Sequence, residues 1–293
     1  MLDHVPHMSG VASPAARLVA DAEFCFTVQD FRIIAQMLRD EAGIFLPEEK
    51  ASLVYARLAK RIRALGLGSF AEYTARLGGD EAADERRRLV SALTTNVTRF
   101  FREPHHFEHL RTVVLPPLLR SARSGGRVRL WSSACSTGEE PYSLASVIAE
   151  LMPDAADLDV RVLATDIDPV VLEKARAGRY GSIDEVPARL HRWFEPAGAS
   201  WKAGPVLRKL VAFRSMNLAG AWPVRGPFDA VLCRNVAIYF DAEVQQRIWQ
   251  GFAKVIPEGG MLYLGHSERV SGQAASSFET VGVTAYRRRA VVP

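Results

Sequence analysis

The sequence predicts an α/β protein: a Rossmann-like sheet carrying a small β insertion, preceded by an all-helical N-terminal domain. Three observations carry this. From Arg127 onward, short apolar runs alternate with segments of helical period, the pattern of strands and crossover helices in a parallel sheet. Between residues 24 and 95 the helical period stands alone. The stretch RVRLWSSACSTGEEPY, Arg127 to Tyr142, reads as strand, tight loop of small residues, then helix, the opening of a nucleotide-binding βα unit.

Composition narrows the class. A chain of 293 residues with 48% hydrophobic and 24% charged residues has room for two modest domains. Cys25, Cys135 and Cys233 are odd in number, widely spaced and outside any CxxC pattern, which fits a reducing cytoplasm and argues against a zinc site. No signal peptide and no apolar run of roughly 20 residues is visible, so neither export nor direct membrane insertion is expected. The formal charge of +4 is too mild to name a partner; where the basic residues sit matters more.

Residues 1–23, rich in Ala, Pro, Ser and His, read as a flexible tail. Thr27 and Asp30 resemble a capping box, with Phe31, Ile34, Met37 and Leu38 following at helical spacing and Gly43 as the stop. A second helix from about Pro47 to Leu65 sets Val54, Leu58, Ile62 and Leu65 on one face and Lys50, Arg57, Lys60 and Arg61 on another. A solvated basic face would produce that pattern, and so would a docking surface for an acidic partner. Ser69 caps a short helix ended by Gly78-Gly79, and a fourth runs from about Asp80 to Leu93. Residues 24–95 thus form the N-terminal helical domain and 96–105 a junction, within TTNVTRFFREPHHFE. There Phe100, Phe101 and Phe107 are packing residues, while Asn96, Thr98 and Arg102 must find partners if buried. His105 and His106 are adjacent rather than four apart and do not suit metal ligation, so no metal is expected.

The second domain, 106–293, continues with a buried strand at Val160–Ala164 that ends in Thr165-Asp166-Ile167-Asp168-Pro169. Asp168-Pro169 fits the N-cap and first position of the next helix, which leaves Asp166 for a ligand. Residues 190–215 break the rhythm and read as the β insertion. A strand ending at Arg234-Asn235, a helix from Asp241 to Ile256, a strand from Met261 and a last strand from Thr280 to Tyr286 complete the reading.

Three strand ends therefore deliver Glu139/Glu140, Asp166 and Arg234-Asn235 to one crevice. No GxGxxG or GxxxxGK(S/T) cradles a phosphate, and carboxylates there would repel one. They suit a nucleoside carrying positive charge, which points to S-adenosylmethionine and a class-I methyltransferase. TTNVTRFFREPHHF, ACSTGEEPYSLA, ATDIDPVVLEKARAGRY, GPFDAVLCRNVAIYF and GHSE, in this order, resemble the chemotaxis-receptor glutamate methyltransferase family (CheR) over residues 26 to 288. The resemblance implies a set of roles. Asn96, Thr98, Arg102, Glu140, Asp166, Asn217, Leu218, Arg234 and Asn235 would bind S-adenosylmethionine and its product S-adenosylhomocysteine. Arg102 and Tyr239 would lie near the methyl group. Whether Glu139 or Glu140 is the nearer acid stays open.

The implied reaction methylates glutamates on the cytoplasmic helices of chemoreceptors, with Lys50, Arg57, Lys60 and Arg61 as substrate-docking residues. A glutamate of pKa about 4.3 is already ionised at neutral pH, so no strong general base is required. Between Phe194 and Val206 only Gly198 and Gly204 are present, without the glycine-rich loop of family members that tether to a receptor's C-terminal pentapeptide, so a tether-independent enzyme is expected. A non-catalytic S-adenosylmethionine-binding signalling module is the alternative. A small-molecule methyltransferase would leave the basic helical domain without a purpose. Nucleic acid is not expected as a partner, because the basic residues lie on one helix without interleaved exposed aromatics.

Overall fold

The structure, a computed structural model, describes residues 18–19, 22–79 and 82–290. These fall into two units, one made of residues to Leu38 with Leu46–Leu93, the other of Arg39–Phe45 with the chain from Thr94 on. Most of the tail expected at residues 1–23 lies outside the described residues.

Helices α1 (Val28–Ala42), α2 (Ala51–Ala64), α3 (Phe70–Leu77) and α4 (Ala83–Leu93) appear in the first unit, to which α1 belongs as far as Leu38. Their starts follow the sequence signals. The Thr27 N–H donates to Asp30 at 2.9 Å and the Asp30 N–H to Thr27 Oγ1 at 3.1 Å, a reciprocal capping box. Ser69 Oγ accepts the Glu72 N–H at 3.2 Å at the start of α3. Phe26, Phe31, Ile34, Val54, Leu58, Phe70 and Tyr73 are buried, with the Phe26 and Phe70 ring centroids 4.2 Å apart.

In the second unit, α5 (Pro104–His109) continues through a π turn into α6 (Leu115–Arg123). The core then runs β1 (Val128–Ser133), α7 (Glu139–Leu151), β2 (Val160–Asp166), α8 (Pro169–Ala177) and β3 (Arg179–Tyr180). Next come β4 (Phe194–Ala197), β5 (Ser200–Ala203), α9 (Pro205–Leu210), β6 (Val211–Ser215) and β7 (Ala230–Cys233). The chain closes with α10 (Ala242–Val255), β8 (Met261–Leu264), β9 (Phe278–Gly282) and β10 (Ala285–Arg288). Seven strands form the main sheet in the order β6-β2-β1-β7-β8-β10-β9, parallel from β6 to β8 and antiparallel beyond. The order reverses between β1 and β7, the switch point where open α/β sheets bind ligands. Alternation along β1 sends Val128 and Leu130 into the core under α7, and Trp131 into a second core with Ile248, Trp249 and Phe252 of α10.

Three stretches differ from the sequence expectation. Pro205–Leu210 is a helix, because Gly204 precedes a proline at the first helical position. Val211–Ser215 is an edge strand of the main sheet, paired with β2 from Val162↔Val211. The small sheet, β3-β5-β4, therefore starts at Arg179 rather than 190 and ends at Ala203. The single strand expected from Thr280 is a hairpin, turning at Gly282 and at Thr284 (φ 48°). Gly43 does more than end α1. At φ 72° it packs on Ala219 with no room for a Cβ, where Arg39 donates to Asp241 at 2.7 Å and Asn217 to the Glu41 carbonyl at 3.0 Å.

Candidate active site

The loops after β1, β2 and β7 leave from one level, since Ser133 pairs in register with both Thr165 and Cys233. At the β2 end, Asp166 is buried and each of its oxygens accepts one backbone N–H: Ser136 at 2.8 Å and Asp168 at 3.0 Å. Asp168 caps α8 through the Val170 N–H at 2.9 Å, as expected, and its other oxygen accepts Asn96 Nδ2 at 2.9 Å. Ser136 Oγ in turn donates to the Asn96 carbonyl at 2.9 Å. Asn96 thus ties the junction to the ends of β1 and β2. Asp166 is not free of structural partners, as the sequence suggested. A carboxylate oxygen accepts about two hydrogen bonds, so each retains one lone-pair direction.

Arg234, its side chain 2% exposed, joins two acids, Glu140 and Glu103, and a backbone carbonyl. It donates to Glu140 at 2.9 Å, lies 3.3 Å from Glu103 and donates to the Arg102 carbonyl. Glu140 also accepts Ser132 Oγ at 2.7 Å. Arg234 is therefore a strut between carboxylates rather than a free cation. Glu140 lies over the ends of β1 and β7, whereas Glu139 turns to Thr137 Oγ1 at 2.6 Å. Of the two acids, Glu140 is the one at the switch point. Burial pushes the carboxyls of Glu139, Glu140 and Asp166 above their ordinary range. Burial raises Glu103 too, but Arg234 and the neighbouring His266 outweigh it and hold Glu103 below its ordinary value.

Arg102 is half-buried, its guanidinium donating to the Val97 carbonyl at 3.1 Å. Its neighbours Phe101 and Glu103 have φ of 51° and 56°. Ala134, Ser136 and Asn235 are left-handed as well, so five of the six non-glycine residues with positive φ among the described residues surround this crevice. Such conformations cost about 1–3 kcal/mol each and persist where the surroundings enforce them.

The enforcement at β7 comes from a residue to which the sequence reading assigned no role. Glu268, buried, accepts four backbone N–H groups: Asn235 at 2.8 Å, Val236 at 2.8 Å, Ala237 at 2.7 Å and Gly265 at 2.6 Å. A Cβ on Gly265 would stand 2.7 Å from Glu268 and from the Asn235 nitrogen, so only glycine fits there. The available signal was the GHSE stretch, an acid placed three residues after a glycine at a strand end. Asn217 is held in its own turn, accepting the Ala219 N–H at 2.9 Å, and Leu218 is buried beside it. Thr98 and Tyr239 are half-buried and make no side-chain hydrogen bond within the described residues.

His106 is fully buried against Thr284 Oγ1 at 3.0 Å, and burial lowers its pKa to about 3, so it is neutral. No group of three or more His, Cys, Asp or Glu among the described residues is placed to hold a metal. On α2, two of the four expected docking residues are committed internally. Arg61 forms a forked pair with Glu85, at 2.8 and 2.5 Å, and Arg57 donates to the Leu93 carbonyl at 2.8 Å. Lys50 and Lys60 are exposed.

A switch-point crevice walled by Glu140 and Asp166, with its arginine already paired, has no phosphate cradle and an excess of negative charge. That donor set fits a cationic nucleoside and defines a Rossmann-like domain of the class-I methyltransferase type. The family model described as the CheR methyltransferase SAM binding domain matches residues 96–287, and the CheR methyltransferase all-alpha domain matches residues 29–94. A Rhizobium etli protein named "Probable chemotaxis protein methyltransferase" is 52% identical, over 86% of this chain and 96% of its own. "Chemotaxis protein methyltransferase 2" of Pseudomonas aeruginosa is 40% identical, over 94% of this chain and 98% of its own. The chain belongs to the CheR methyltransferase family, and is an S-adenosylmethionine-dependent methyltransferase with an all-α N-terminal domain.

Proposed function

We propose that the protein methylates the γ-carboxylates of glutamates on the cytoplasmic helices of chemoreceptors, giving glutamate methyl esters and S-adenosylhomocysteine in chemotactic adaptation. The observation that carries this reading is the switch-point crevice of Glu140 and Asp166, whose buried arginine, Arg234, is already paired with Glu140. Its substrate class is supported by the chemotaxis methyltransferase names of the relatives. S-adenosylmethionine supplies a methyl group on a positively charged sulfur, which leaves with its electron pair as the acceptor oxygen bonds to carbon. The chain need only bind, orient and exclude water, because the acceptor carboxylate is already ionised.

In this reading Glu140 and Asp166 bind the donor together with Asn96, Thr98, Asn217, Leu218 and Asn235. Arg234 acts by holding Glu140. Arg102 orients the acceptor carboxylate with its remaining N–H donors, and Tyr239 lines the methyl position with its uncommitted hydroxyl. Exposed Lys50 and Lys60 are the part of the basic helix open to an acidic receptor surface. Tether independence is supported by the short Gly198-Ala199 connection between β4 and β5, and titration with a receptor-tail peptide checks it, micromolar binding counting against. The three free cysteines support a cytoplasmic site of action, checked by cell fractionation.

A radiolabelled methyl-transfer assay on receptor-bearing membranes, scored by base-labile ester, tests the activity. Donor binding without ester formation on any receptor would favour the non-catalytic signalling module. In the same assay Arg102→Ala should keep S-adenosylhomocysteine affinity within about threefold yet lose most turnover, by the roughly 2–5 kcal/mol at stake when a paired charge is removed. Unchanged turnover at saturating receptor would refute its role. Reversing Lys50 and Lys60 to Glu should raise the receptor KM with donor affinity unaltered, and a changed donor affinity alone would contradict docking there.

A further inference from the structure

The opposite end of the same strands is basic. Arg129 and Arg161 are register partners at the starts of β1 and β2. With Arg127 and Arg225 they line an open groove of about 300 Å³, floored by apolar side chains that include Leu163 and Phe228. Much of their hydrogen-bonding capacity is unused. Arg161 engages through one terminal nitrogen, to the Leu158 and Val160 carbonyls at 2.8 and 2.6 Å. Arg127 makes one long contact to the Gly226 carbonyl at 3.5 Å. Arg225 makes no hydrogen bond or ion pair within the described residues and is exposed. Arg129 is the most committed, paired with Asp159 and donating to the Asp159 carbonyl at 2.8 Å. Two acids, Asp159 and Asp229, stand against four arginines; Asp229 accepts the Arg129 backbone N–H at 2.8 Å.

We propose that this groove is a second ligand site, for a phosphate-bearing small molecule of the nucleotide class. Guanidinium forks match phosphate oxygens in pairs, and their charge is always present. The apolar floor offers a surface to a base or sugar, which inorganic phosphate would not use. A volume of about 300 Å³ is at the small end of ligand pockets. The site is separate from the donor crevice. Arg129 and Ser133 are four residues apart on one strand, or about 13 Å. A ligand here therefore binds alongside the methyl donor rather than in its place.

Calorimetry on the full chain, with S-adenosylhomocysteine saturating its own crevice, tests this with ADP and pyrophosphate as probes. ADP should bind with Kd below about 1 mM, several-fold tighter than pyrophosphate, and should weaken with salt. The double variant Arg161→Ala/Arg225→Ala should lose at least about tenfold in ADP affinity, two charge-assisted contacts being removed, with S-adenosylhomocysteine affinity within about twofold of the parent. If that variant does not fold, Arg225→Ala serves alone, since its side chain supports no other residue. No saturable binding, equal binding by ADP and pyrophosphate, equal affinity in the variant, or binding only of an acidic receptor-derived peptide would each overturn the proposal.

Discussion

The loop after β1 and the loop after β7 face each other across the switch point and are held in the same manner. In each, a non-glycine residue with left-handed backbone gives its N–H to a buried carboxylate: Ser136 (φ 48°) to Asp166, and Asn235 (φ 57°) to Glu268. The two carboxylates differ in what they have left. Glu268 accepts four backbone N–H groups, two on each oxygen, and its acceptor capacity is full. Asp166 accepts two, one on each oxygen, and keeps room for a ligand donor. A buried acid at a strand end is thus scaffold or ligand-binding group according to how many of its lone pairs the chain has already occupied.

Removing the saturated carboxylate should have the largest effect. Glu268→Ala leaves four N–H groups without their acceptor, at about 1–3 kcal/mol for each that stays dry. With roughly 2–4 °C lost per kcal/mol in a unit of this size, the melting temperature should fall by about 10 °C or more. Glu268→Gln keeps one acceptor oxygen and should lose about half as much. Thermal unfolding followed by circular dichroism measures both. A fall under about 3 °C for the alanine variant would mean that water replaces the carboxylate, and the contrast with Asp166 would collapse.

The reverse profile is expected of Asp166→Asn. The amide oxygen can still take one of the two N–H groups, so stability should fall by only a few degrees. Donor affinity should drop more visibly, about tenfold or more by calorimetry, because the amide is neutral and one acceptor is replaced by a donor. A large loss of stability with donor affinity intact would make Asp166 a second Glu268.

Much of this was legible in the sequence where the signal is local. Capping pairs, the Asp168-Pro169 helix start and the apolar strand runs declare themselves within four residues, and the structure has them at those positions. The acids at the strand ends were also legible, since a parallel sheet must bring those ends together. What sequence could not supply was which partner each polar group takes at long range. Arg234 and Glu140 are 94 positions apart, so nothing local shows that Arg234, expected among the donor-binding residues, is paired with Glu140. Arg57 and Arg61 share a face with Lys50 and Lys60 by periodicity, yet α4 offers carbonyls and Glu85 to the first two only. In the expected insertion β-branched Val206 favours strand, but Pro205 at the first helical position starts a helix there, and Val211 does enter a strand, one of the main sheet rather than of the insertion.

The smallest expected effect concerns protons on the acidic walls. Burial raises the carboxyls of Glu139, Glu140 and Asp166, so in the free protein each takes up a proton at higher pH than in the unfolded chain. Their contribution to folding therefore becomes less unfavourable as pH falls through the raised values. Donor binding runs the other way. A positively charged sulfur favours the ionised acids, so affinity for S-adenosylmethionine should weaken as pH is lowered through the same window, by at most about tenfold per pH unit for each proton that must be released. S-adenosylhomocysteine has no charge on sulfur and should weaken less. Glu103, held below its ordinary range beside Arg234, stays ionised across the window and drops out of the comparison. Calorimetry of both ligands between about pH 5 and 8 should show the ratio of their dissociation constants, donor over product, rising as pH falls. A ratio constant with pH would mean that the acids of this wall meet the ribose and amino groups alone, and that the positive sulfur lies nearer the wall held by Glu268.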